Sequence, residues 1–259
     1  MKKPYLIIVF LGFSVFTLMS CEGLFCDDSS KDDKTESQEE VNYNPVIDPA
    51  DFVSGIDNEY FPLVPGTKYT YTAETEDGTE KIEVYVTHET KEILGVTCIV
   101  VDDKVWLDEN EDDEWTDNEL IEVTLDWYAE DKDGNVWYMG EDSHEYEEGT
   151  PVSSAGSWEA GVDGAKPGII MMANPIVGVV YRQEYYEGEA EDKAEVLSLN
   201  GSVTVPAGSY ENCLRTKDWN PLEMETIEEK YYATGIGVVQ EVTVKGGDEK
   251  VVLISITTE

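Results

Sequence analysis

Carboxylates dominate the chemistry this chain could do: 57 of its 259 residues are Asp or Glu, against 17 Lys and Arg and two His. Asp131, Asp133 and Asn135 alternate around Gly134, as at the start of a calcium loop, where alternate residues supply oxygen ligands. Glycine comes fourth rather than sixth, however, and Asp142 rather than Glu is twelfth. These residues are weak Ca²⁺ candidates, and a tight hairpin turn accounts for the same spacing. Between Leu107 and Glu119 lie Asp108, Glu109, Glu111, Asp112, Asp113, Glu114, Asp117 and Glu119. Such a run reads first as a solvated loop and second as a weak cation binder. His88 and His144 lie in separate segments, and the sequence holds no CxxC, HExxH or GxSxG motif, so neither a zinc site nor a nucleophile elbow announces itself. No other cofactor is expected. Six tryptophans and 15 tyrosines offer surfaces for stacking on sugars or lining an apolar groove. Trp127, Trp137 and Trp158 are the candidate ligand contacts; core packing is the alternative.

The cysteines divide by position. Cys98 and Cys213 each sit in a strand-like segment. In an oxidising compartment they are candidates for a disulfide. Closing a loop of that length would add roughly 4–5 kcal/mol on the chain-entropy model; two buried free thiols are the alternative. Cys21 stands differently. Lys2 and Lys3 precede an apolar run from Tyr5 to Met19, shorter than the roughly 20 residues a membrane-spanning helix needs and suited to an export signal. The run ends in Leu18-Met19-Ser20-Cys21, which resembles the lipobox of bacterial lipoproteins. That resemblance implies cleavage before Cys21, acylation of its sulfur by a palmitate-type chain, and an extracytoplasmic, membrane-anchored protein of the cell envelope. More than one acyl chain is needed for a stable hold.

The elements that must position these residues read as strands. Residues 1–20 form the signal, 21–57 an acidic, disordered tether, and 58–259 one domain. Segments rich in Val, Ile, Thr, Tyr and Trp alternate with polar residues, and Asp77-Gly78 and Asp133-Gly134 mark tight hairpins. No apolar period of 3.6 residues persists. The expected fold is all-β: a curved antiparallel sheet, an open barrel or a sandwich, of about a dozen strands. The Gly- and Pro-rich stretch 150–178 is expected as a loop over one face.

Three segments carry a family resemblance: Asp131-Lys132-Asp133-Gly134-Asn135-Val136-Trp137-Tyr138-Met139-Gly140-Glu141, then Gly156-Ser157-Trp158-Glu159-Ala160-Gly161-Val162-Asp163-Gly164-Ala165-Lys166-Pro167-Gly168-Ile169, then Tyr181 to Tyr186. They resemble a set of uncharacterised bacterial exported proteins and lipoproteins, over a span from about Asn58 to the end of the domain; Met172 and Val179 depart from its pattern. The resemblance implies a domain boundary and no chemistry.

The net charge of −40 repels nucleic acid and anionic lipid, so nucleic-acid binding is excluded. The expected function is a non-enzymatic β domain binding a lipid, a glycan or an envelope protein. The alternative is an envelope hydrolase with an acidic active site, for which buried paired carboxylates in a cleft would speak.

Overall fold

The computed structural model describes residues 43–259 except 76, 111 and 113. The signal, Cys21 and the tether up to residue 42 lie outside the described residues. Fifteen strands, all paired antiparallel, form one sheet. They are β1 (Thr67–Glu74), β2 (Thr79–Ile93), β3 (Val96–Asp108), β4 (Leu120–Glu130), β5 (Val136–Glu147), β6 (Thr150–Ser153), β7 (Trp158–Glu159) and β8 (Lys166–Met171), followed by β9 (Val180–Arg182), β10 (Glu184–Tyr185), β11 (Lys193–Val205), β12 (Gly208–Trp219), β13 (Ile227–Ala233), β14 (Gly237–Lys245) and β15 (Lys250–Thr258). The expected all-β curved antiparallel sheet is what forms, with fifteen strands rather than about a dozen because 150–185 contributes five short ones.

The long strands follow from alternation. In β2, Glu80, Ile82, Val84 and Val86 are buried while Lys81, Glu83 and Tyr85 are half-exposed, the period-two pattern of a strand with one covered face. Strand order runs β10-β8-β5-β4-β3-β2-β1-β15-β14-β13-β12-β11-β9. Only Gln183 separates the two terminal strands of that path in the chain. The chain itself therefore bridges the open edges, and the sheet is a nearly closed barrel. Gly168 of β8 lets this seam shut: a Cβ there would lie 2.2 Å from the carbonyl carbon of Gln183, far inside van der Waals contact. Gly140, at φ +134°, does the same for β5 against β7, where a Cβ would lie 2.4 Å from the Trp158 carbonyl oxygen.

Three expectations are corrected. Residues 43–57 belong to the domain rather than the tether. Ile56 is buried, Phe52 bridges Asp131, and the Tyr43 hydroxyl donates to the Pro167 carbonyl at 2.8 Å. The stretch 150–178 is not a free loop over one face. It supplies β6, β7 and β8, all paired to β5, and buries Trp158, Ala160, Ala165, Ile170 and Met171. Cys98 and Cys213 are free, buried thiols rather than a bridge. They lie on β3 and β12, with five strands between them along the sheet path. Burial pushes the Cys98 thiol up to about 12.

Candidate functional site

Asp131 is a turn organiser, not a cation ligand. One of its oxygens accepts from the backbone N–H groups of Asp133 and Asn135, each at 2.9 Å. The other accepts from the Asn135 amide at 3.0 Å and the Trp137 indole at 2.8 Å. With both oxygens committed and the Asn135 side-chain Oδ1 accepting from Ala173 N–H, Asp131, Asp133 and Asn135 present no converging ligand set. The weak Ca²⁺ reading of this turn is set aside.

The three candidate tryptophans are core and turn elements. Trp127 and Trp158 are buried and Trp137 is half-buried. Trp158 stands edge-on to Tyr138 at 5.3 Å, Tyr138 stacks on Tyr128 at 4.8 Å, and Phe61 abuts Tyr128 at 5.4 Å. The Lys91 ammonium lies over the Trp127 ring. Trp127 and Trp158 offer no open stacking face, and Trp137 is tied by its indole to Asp131 and stands edge-on to Phe52. The half-buried indoles of Trp106 and Trp115 instead flank Lys81, beside the 107–119 loop.

That loop borders a cleft of about 240 Å³. Its opposite wall is the β5–β6 turn, where Gly149 packs against Asp117 and Asn118. Leu107, Leu120, Ile121 and Tyr146 contribute apolar surface; Glu109, Glu119, Glu147 and Glu148 contribute carboxylates, and Asn110 and Asn118 carboxamides. Beside it, ligand oxygens of Asp108, Asp112 and Glu119 come within 4.8 Å of one another. Internal donors already hold this trio: Asp108 accepts from Asn110 and Asp112 N–H, and Glu119 from Thr116.

A second acidic region was missed in the sequence. Among the described residues twelve acids are buried, against Arg182 and Lys230 as buried bases. Most form a belt around the barrel interior. Asp126 of β4 faces Glu141 of β5. Glu141 interacts with Glu184 of β10, and Glu184 with Asp192 just before β11. Asp192 neighbours Lys230 and Glu228 of β13, and Lys230 pairs with Glu241 of β14. Glu241 feels Glu249, Glu249 raises Glu80 of β2, and Glu80 also feels Glu122 of β4, which closes the circuit. Polar anchors are few. The Tyr138 hydroxyl donates to Asp126 at 2.6 Å, and the Trp158 indole to Glu184 at 3.0 Å. Thr216 and Gln183 donate to Asp218. Lys230 lies 3.4 Å from Glu241 and 3.9 Å from Asp218. Neither oxygen of Asp103, Glu141 or Glu241 receives a well-directed hydrogen bond.

Burial disfavours the charged form of these acids, and like charges nearby add to the effect. Glu122 rises to about 8 by burial, eased by a Thr124 hydroxyl. Asp126 rises to about 7, its burial opposed by the Tyr138 hydroxyl. Burial likewise lifts Asp192 to about 7 and Glu249 to about 8. Burial would lower Lys230, but Glu241, Asp218 and Glu228 outweigh it and hold the ammonium charged. The sequence did carry a signal for the belt: Glu80 shares the inward phase of Ile82 and Val84, and Asp103 that of Val101 and Val105.

No protein-family model matches the sequence, and no curated protein matches it. The resemblance carried by the three segments therefore rests on those residues alone. Among solved structures the chain is similar to a Bacteroides fragilis protein described as exported and of YmcC-like fold, at 18% identity over 78% of this chain and 100% of that one, TM-score 0.41. It is also similar to a Parabacteroides distasonis protein described as a lipoprotein, at 13% identity over 77% and 99%, TM-score 0.37. Neither likeness is close enough to inform the site.

Proposed function

We propose that this chain is an extracytoplasmic lipoprotein of the cell envelope, anchored through lipid on Cys21, whose barrel is a non-enzymatic module binding a glycan in the cleft beside the 107–119 loop. The lining of that cleft carries the reading. A half-buried Tyr146 and aliphatic side chains lie among carboxylates and carboxamides, which suits hydroxyl groups above an apolar sugar face. The volume of about 240 Å³ sits just below the roughly 300–1,000 Å³ of drug-sized pockets and fits a short saccharide. A lipid is favoured less: the apolar recess between Phe61, Leu63, Tyr69, Tyr71 and Val238 holds only about 30 Å³, room for about one or two waters. Hydrolysis is favoured less as well. The acids with raised pKa, such as Glu141 and Glu184, are 1% exposed and line neither cleft, so substrate would have no path to them.

The test is a microarray of bacterial envelope glycans probed with the mature chain, followed by calorimetry on any hit. Saturable binding, weakened at least about tenfold by Tyr146→Ala or Asn118→Ala, is expected; loss of a hot-spot contact of about 1.4 kcal/mol has that size. No glycan bound, with a lipid co-purifying instead, would overturn the reading.

A further inference from the structure

Among the described residues twelve acids, most of them in the belt, are buried against two buried bases, and ionised carboxylates in that number cannot be held away from water without compensation. Something must neutralise them. A bound divalent ion needs several oxygens converging on one point. Among the described residues the one trio of ligand atoms that does so is Asp108, Asp112 and Glu119, outside the belt. The belt oxygens are strung around the wall instead, one or two per strand.

We infer that the belt, apart from the charge that pairs with the Lys230 ammonium, is carried in the folded barrel as neutral carboxylic acids, so that folding takes up protons near neutrality and an alkaline shift loosens the barrel. The surroundings of the belt support this on every side. Glu141 faces Asp126 and Glu122 from β4 and Glu184 from β10, with Tyr138 of its own strand as the opposing donor. Asp103 faces Asp126 and Glu122 from β4, has Asp102 beside it on its own strand and lies near Tyr71 of β1; the Lys104 backbone N–H is the opposing donor. Glu241 faces Glu228 and Lys230 from β13, Asp218 from β12 and Glu249 before β15. Among the described residues Lys230 is the one buried ammonium, and it is shared between Asp218 and Glu241. Arg182 at the seam lies near Glu191.

The sign follows from the direction of the shifts. Carboxyls of an unfolded chain titrate near about 4, whereas Asp126 and Asp192 are lifted to about 7 and Glu122 and Glu249 to about 8. Stability from such groups is complete below the unfolded value and is lost as pH rises through the folded one. Glu83, held down by Lys81 and Lys68, works the other way, but it is one half-exposed group.

Urea unfolding of the mature chain from about pH 5 to pH 9 tests this. Each proton taken up on folding raises the unfolding constant about tenfold per pH unit. At least two such protons, a rise of about 100-fold per unit near pH 7, are expected. Glu141→Gln and Glu241→Gln should each flatten that slope. Elemental analysis of protein prepared without chelator should find no stoichiometric divalent cation. Stability of the unaltered chain that stays flat or increases with pH, or one equivalent of tightly held metal that Glu119→Gln leaves in place, would overturn the inference, whether or not the variants fold.

Discussion

Two acidic regions built from the same residue types meet opposite fates in this barrel. The 107–119 loop keeps most of its described acids toward water. The belt, which starts a few residues away on β2 to β5 and runs on around the barrel, turns its acids inward and lifts them. Strand phase makes the difference. In the loop no alternation commits a side chain to one face, so charges stay solvated. In a strand a carboxyl at an apolar-phase position goes inside with its neighbours. Charge count alone therefore does not tell what an acid will do; its register does.

Removing the one base inside the belt should give the largest break in that comparison. Lys230→Met leaves Glu241 and Asp218 without their ammonium, and breaking a buried pair costs about 3–5 kcal/mol. The loss should be large at pH 8 and much smaller at pH 5, where the partner acids take protons; denaturant titration at the two values measures it. Gly168→Ala comes next. Forcing β8 away from Gln183 should cost about 1–3 kcal/mol, as overpacking does, equally at both pH values because no charge is involved. Trp158→Phe removes the indole donor to Glu184 and should cost about 1–3 kcal/mol, again read by chemical unfolding. Glu119→Gln, on the loop, should move stability by no more than about 0.5 kcal/mol and leave the pH profile unaltered while weakening glycan retention. A loop variant that changed the pH slope as much as a belt variant would erase the distinction between the regions.

Much of the scaffold was legible in the residues. The inward phase of β2 and the Asp133-Gly134 turn follow from local rules, since alternation and turn chemistry act over a few positions. What escaped depends on distant pairs. Trp158 meets Glu184 across 26 residues, and Gly168 meets Gln183 because the sheet closes on itself, so neither pairing has a local signature. The tether boundary was misplaced for the same reason. Residues 43–57 show no strand-like alternation in sequence, yet Asn58 N–H and Asp57 N–H are received by Glu130 at 3.0 and 2.8 Å, contacts more than seventy positions away. Composition leaves the tryptophans open between ligand contact and core packing, and Trp127 and Trp158 belong to the core. Glu80 and Asp103 were visible in the apolar phase, but the abundance of acid elsewhere hid them.

Isotope-edited infrared spectroscopy of the carboxyl groups, on folded protein at pH 7, addresses the protonation of the belt most directly. The carbonyl stretch of un-ionised carboxylic acid should be present in the native chain, weaker in Glu141→Gln, unaffected in Glu119→Gln, and gone when urea unfolds the protein at the same pH. A native spectrum holding only ionised carboxylate would contradict the account.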